Sequence, residues 1–205
     1  MTPSGNVPSD RLTRPGGRTA RVREDVLTAA GDQLAETGLP GLDLGVVAAR
    51  AGVGKSTVYR RWGTVPGLIA DLLTEMATSS LPRTDSGDLD SDLRANARLV
   101  RKTLIDPRQG TLFTALIAAA TTDPATAAAL HRFYAVRVQE WAPCVQSAIA
   151  RGEVPVGTDP AQVIRATSAP LYYRLLTTPD RITVGDADRA ARAASVAAKA
   201  GVFVN

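Results

Sequence analysis

One cysteine and one histidine stand among 205 residues. A single thiol excludes an internal disulfide, and His131 alone cannot build a His-based metal cluster or a catalytic dyad. No cofactor and no metal are expected from such a set. No charged-then-apolar secretion signal opens the chain. The most apolar run, Leu112 to Ala120, is broken by Thr114 and falls well short of the ~20 residues that a membrane span needs. Strand signal is nearly absent between the helical stretches. These absences set aside a disulfide scaffold, a membrane protein and a metalloenzyme, and they leave an all-α, soluble, cytoplasmic protein as the expectation. Aromatics are scarce too, nine in all, so the places where they gather carry information.

The chain does have a mildly basic balance, +4 with a pI near 9.6, and that balance is uneven. Five Arg (11, 14, 18, 21 and 23) face one Asp in the first 23 residues, whereas residues 64 to 205 carry 15 basic and 14 acidic groups. Positive charge is loaded towards the N-terminal end, as a nucleic-acid contact requires. Residues 1–17 are rich in Pro, Gly, Ser and Thr and lack an apolar period, so they read as a disordered basic arm.

Next to that arm lies the most telling stretch, Leu42 to Trp62. Asp43 is a good N-cap, and Val47, Ala48 and Ala51 follow it at helical spacing. Gly52 stops that helix, and Gly54 caps a second one that carries Lys55, Ser56, Thr57, Tyr59, Arg60 and Arg61 around Val58 and Trp62. Two short helices joined by a glycine turn, the second rich in hydrogen-bonding groups, match the helix-turn-helix that enters the DNA major groove. Lys and Arg neutralise phosphates, and short hydroxyl groups reach phosphates or base edges. The letters GVGKST also suggest a phosphate-binding P-loop. That motif needs a Gly at position 49, which is Ala, and a strand where a helix is expected, so the match is accidental.

The run AGVGKSTVYRRW, with LDLGVVAAR before it and GTVPGLIADLL after it, resembles the TetR-type family of transcriptional regulators. Ala51, Gly52, Val53, Lys55, Thr57, Tyr59 and Trp62 match the family pattern. Gly54 stands where a capping Ser is usual, and Val65 where a phosphate-contacting Lys is common. The resemblance covers about residues 20 to 78 and extends more loosely to PLYYRLLTT. It implies an N-terminal three-helix DNA-binding unit on a C-terminal helical bundle for ligand sensing and dimerisation. It also implies a homodimer on a near-palindromic double-stranded operator and a small-molecule effector, with no catalysis. The DNA-contacting residues it implies are Arg18, Asp43, Leu44, Lys55, Ser56, Thr57, Tyr59, Arg60, Arg61, Trp62 and Thr64.

The remaining chain divides at LPRTDSGD, giving a DNA-binding domain at 18–80 and a helical body at 81–205. Helices are expected over Thr19–Glu36, from Thr64 to near Ser80, on the Leu93/Ala97/Val100/Leu104 stripe, over Gln109–Thr122, and after Asp123–Pro124 and Asp159–Pro160. Pro143 should kink or interrupt the first of these last two, and Pro170 should bend the second. Met76, Phe113, Leu116, His131, Tyr134 and Trp141 are the candidate lining of a ligand pocket, with plain core as the alternative for the aromatic residues. The final helix, Asp186 to about Val202, is dominated by Ala. Ala190, Ala194, Ala197 and Ala198, with Leu171 and Leu175 of the PLYYRLL helix, are the candidate dimer interface. A ligand-responsive repressor is thus the expected function. A constitutive architectural DNA binder and an enzyme on a helical scaffold are the alternatives, the latter without a metal set, triad or nucleotide loop.

Overall fold

The computed structural model describes residues 15–78 and 86–205, and within these every regular element is helical. The order is α1 (Pro15–Thr37), α2 (Leu44–Arg50), α3 (Lys55–Trp62), α4 (Val65–Thr78), α5 (Leu89–Ile105), α6 (Pro107–Ala120), α7 (Pro124–Ala150), α8 (Pro160–Thr177) and α9 (Val184–Lys199), with a single 3-10 turn at Leu39–Gly41. The all-α expectation holds. α1 starts earlier than expected, so residues 15–17 are helical and not part of an arm. The arm's residues 1–14, Ser80 and most of the linker (81–85) lie outside the described residues.

Local chemistry sets most of the helix starts. Asp43, Asp88, Asp106, Asp123 and Asp159 each accept backbone N–H groups at a helix N-terminus, and Pro107, Pro124 and Pro160 occupy first helical positions. Their missing donor is harmless there, and their fixed φ suits the helix. Asp106–Pro107 both closes α5 and opens α6, so α6 begins two residues before the expected Gln109. α9 opens with a reciprocal capping box between Thr183 and Asp186.

Two helices run through an internal proline. α7 is a continuous helix of 27 residues across Pro143, about 40 Å long. Of the expected kink or interruption, the interruption does not occur: one lost hydrogen bond is outweighed where Trp141, Cys144, Val145 and Ala148 beside it are all buried. α8 likewise continues through Pro170, which lies on its exposed side.

Packing forms two parts. In the first, α1 buries Val26, Leu27, Ala30 and Leu34 against α2 and α4, and Val47, Ala48 and Val58 complete that core. In the second, α5, α8 and α9 pack together, with α6 and α7 closing the bundle towards α1 and α4. α9 turns its alanines inward: Ala187, Ala190, Ala191, Ala194 and Ala198 are all buried inside this one chain. Small side chains let α9 lie close to α5 and α8. The candidate dimer residues Ala190, Ala194 and Ala198, together with fully buried Leu171, are therefore core residues of the subunit; Ala197 and Leu175 are half-buried.

Candidate nucleic-acid interface and ligand cavity

The turn between α2 and α3 depends on Gly52, whose φ of 66° a side chain would strain. Asp43 Oδ1 accepts the N–H groups of Gly45 (2.8 Å) and Val46 (2.9 Å), fixing the start of α2. Gly54 supplies no side-chain cap, in keeping with its departure from the family's Ser. α3 buries Val58 and Trp62 and turns Lys55, Ser56, Tyr59, Arg60 and Arg61 outward, with Thr57 half-buried and Thr64 exposed just beyond. Tyr59, a large ring left 48% exposed, has no packing reason to be there. Lys55 and Arg60 have no ion pair among the described residues, so both cations face outward uncompensated. Arg61 instead lies 5.2 Å from the Trp62 ring centre, a cation–π contact.

Two of the expected DNA contacts are internal. Leu44 is buried in the core of the head. Trp62 is buried too, and its Nε1–H donates to Asp71 Oδ2 at 2.9 Å. An amphipathic ring at the end of a recognition helix can point either way, and here it points into α4. The same Asp71 receives Arg23 of α1 through Nε (3.0 Å) and Nη2 (2.6 Å), while Arg23 Nη1 also donates to Glu75. Burial pushes the Asp71 carboxyl up, but the bonds from Arg23 and Trp62 outweigh it and hold the group below the ordinary carboxylate range. Arg23, counted among the basic residues of the N-terminal end, is thus a clamp between α1, α3 and α4. Arg18 lies in the first turns of α1. Its side chain lies outside the described residues.

A cavity of about 500 Å³ lies between α1 and α4 on one side and α5 to α8 on the other, within the ~300–1,000 Å³ range of small-molecule sites. Leu27, Leu72 and Met76 line it from the head side, and Val100, Leu112 and Val138 from the body. Five of the nine aromatics border it: Phe113, Phe133, Tyr134, Trp141 and Tyr172. The rings of Phe113, Phe133, Tyr134 and Tyr172 contact one another in tilted or edge-on pairs, from 5.3 Å for Phe133–Tyr134 to 6.4 Å for Phe113–Tyr172. Tyr134 and Tyr172 meet edge-on at 5.5 Å, and burial, the largest cause, pushes both phenols up, so both keep their protons. The exposed residues Glu24, Lys102, Arg108 and Gln109 rim the opening.

Of the expected lining, Met76, Phe113, Tyr134 and Trp141 are brought together here. Leu116 is fully buried and is not part of the lining, and His131 is exposed on α7 away from the cavity. Their helical spacing put them near the right residues but on other faces. Among the lining residues that went unread in the sequence are Tyr172, hidden in an apolar run, and Asn96, a polar residue beside the apolar stripe of α5.

On the outside of the body, α8 and α9 present Ala169, Pro170, Tyr173 and Leu176 with Ala193 and Val196. Tyr173 is 68% and Val196 59% exposed, so large apolar side chains face outward on both helices.

A helix-turn-helix head on an all-α body with an internal cavity defines a class of DNA-binding regulator, and comparison with known proteins narrows it. Residues 83–194 match the family model of the tetracycline repressor-like C-terminal domain. The chain is 31% identical over 158 residues to the uncharacterised HTH-type transcriptional regulator YdeS of Bacillus subtilis (strain 168), covering 77% of this chain and 79% of that protein. It is also 31% identical over 147 residues to the HTH-type transcriptional regulator AqdR of Rhodococcus erythropolis, covering 72% and 70%. In fold it is similar to the crystal structure of a TetR-family regulator from Rhodococcus sp., with a TM-score of 0.70 at 24% identity over 87% of this chain and 99% of that one. The chain belongs to the TetR family and is a DNA-binding transcriptional regulator.

Proposed function

We propose that this regulator is a repressor that binds a near-palindromic operator as a homodimer, in the cytoplasm, and leaves it when a small molecule fills the cavity. Residues 18–80 are the reading head in this proposal and 81–205 the sensing and dimerising body. The observation that carries it is the position of the cavity: its walls come from both parts, so an occupant touches α1 and α4 directly. α4 is also the helix that holds Trp62 of the recognition helix through Asp71. A ligand preferred by a conformation with mis-spaced recognition helices then weakens operator binding by its differential affinity. No catalytic step is part of this reading.

Lys55, Ser56, Thr57, Tyr59, Arg60 and Thr64 are the proposed DNA contacts, with Asp43 fixing the helix that precedes them. The dimer contact is proposed on the outward face of α8 and α9, around Tyr173, Leu176 and Val196. Selection of bound fragments from genomic DNA should recover an inverted repeat. Lys55→Ala and Tyr59→Phe should then each weaken binding to that repeat by about 1–3 kcal/mol per dimer, read by fluorescence titration. Undiminished affinity in both variants would remove α3 as the reading helix.

A further inference from the structure

Asn96 is 97% buried on α5, lines the cavity, and its Oδ1 has no hydrogen-bond partner among the described residues. A buried acceptor left unmet is unfavourable unless something supplies a donor. Tyr134 and Tyr172, whose rings meet edge-on at 5.5 Å, each bring a hydroxyl to the lining, so the pair can donate a proton to a ligand acceptor. The aromatic rings described above surround these groups, and aromatic rings favour offset or edge-on contact with another π-system. The charged groups of the lining are engaged or exposed: Arg137 is bonded to Glu140 at 2.6 Å, Glu75 to Arg23, Asp106 caps α6, and Glu24, Lys102 and Arg108 are exposed. A charged ligand would lose its hydration there without a free counter-charge.

We infer that the effector is an uncharged, planar aromatic molecule that donates an N–H or O–H to Asn96 and offers an acceptor to the Tyr134–Tyr172 pair. This rests on the proposal that the cavity is the sensing site, and names the chemistry it selects. A phenolic hydroxyl can serve both roles, so 2-naphthol is a suitable probe. Its comparators are 2-methoxynaphthalene (no donor), 2-naphthoate (charged) and decahydro-2-naphthol (not aromatic).

Calorimetric titration of the full chain should give 2-naphthol an affinity about tenfold or more above each comparator, the scale of one hydrogen bond to a buried acceptor. In Asn96→Leu, the advantage of 2-naphthol over 2-methoxynaphthalene should fall to about twofold or less. The comparison among ligands in the unaltered protein stands even if that variant does not fold. Equal or tighter binding of 2-methoxynaphthalene, 2-naphthoate or decahydro-2-naphthol would overturn the ligand class while leaving the cavity as a sensor. If none of the four binds, the ligand class is overturned as well. A thermal-shift screen of neutral, anionic, cationic and aliphatic compounds, run alongside, separates that failure from failure of the sensing proposal, which would leave no compound stabilising the protein.

Discussion

The carboxylate of Asp71 takes two bonds from Arg23 and one from the indole of Trp62, so a single side chain on α4 holds α1 and α3 together. Asp71→Ala should leave that indole N–H without its acceptor and Arg23 with Glu75 alone. The expected cost is about 1–3 kcal/mol, measured as a lowered urea midpoint. Trp62→Phe removes only the N–H and should cost less, about 1 kcal/mol. If Asp71→Ala left the midpoint unchanged, the clamp would be dispensable. None of this was legible in the sequence, because Arg23 and Asp71 are 48 positions apart and a charge count cannot see a partner at that distance. The positions of Lys55, Tyr59 and Arg60 were legible, since within one short helix the buried stripe of Val58 and Trp62 determines which residues face out.

The starts of α7 and α8 were legible at Asp123–Pro124 and Asp159–Pro160, because a cap and its amides lie within four residues of one another, whereas α1, α6 and α9 begin before the expected residues. α9 shows a further limit. Its alanine content was plain, yet composition does not say which neighbour the alanines meet, and α5 and α8 of the same chain fill that place. Thr183 and Asp186 hold its first turn, and the bonds from the Thr183 side chain and backbone bring the Asp186 carboxyl down to about 2 from an ordinary 3.8. A depressed carboxylate stabilises the folded state above its unfolded value and loses that contribution as it is protonated. The capping box should therefore act fully above pH 4 and fade between pH 4 and pH 2. Thr183→Ala should cost about 1 kcal/mol at neutral pH. It should also flatten the fall in stability across that acid window, measured by denaturant melts at stepped pH. A variant as steeply acid-sensitive as the parent would place the depression of Asp186 elsewhere.

For the whole molecule the question is where a second copy would attach in the proposed dimer. Tyr173→Glu and Val196→Glu put charge on the exposed face of α8 and α9 and should give folded monomers with reduced operator affinity, weighed by light scattering. Ala194→Glu forces a charge into the subunit's own core and should unfold it. Dimers that survive both exposed-face changes would move the interface to another surface. The expected boundary at LPRTDSGD rests on composition alone, and most of that stretch lies outside the described residues. The cavity was legible only in part: Met76, Phe113, Tyr134 and Trp141 were expected in its lining, but its walls are drawn from six helices and no single periodicity contains it.

That composite wall makes the cavity a seam between α1 with α4 and the remaining helices, and in the proposed mechanism what enters it would act as a shim. Its thickness sets the gap between α1 with α4 and the rest of the body. α4 is 14 residues, about 21 Å, and a tilt of 10° carries its far end by about 4 Å. Such a shift exceeds the reach of a hydrogen bond. In a dimer it would be applied in mirrored senses to two heads that must meet grooves one helical turn apart. Two molecules of equal affinity but unequal thickness would then have opposite consequences, one spreading the heads off register and the other bringing them into it. For this protein the sign of a ligand's effect would be a matter of its dimensions, separate from how tightly it is held.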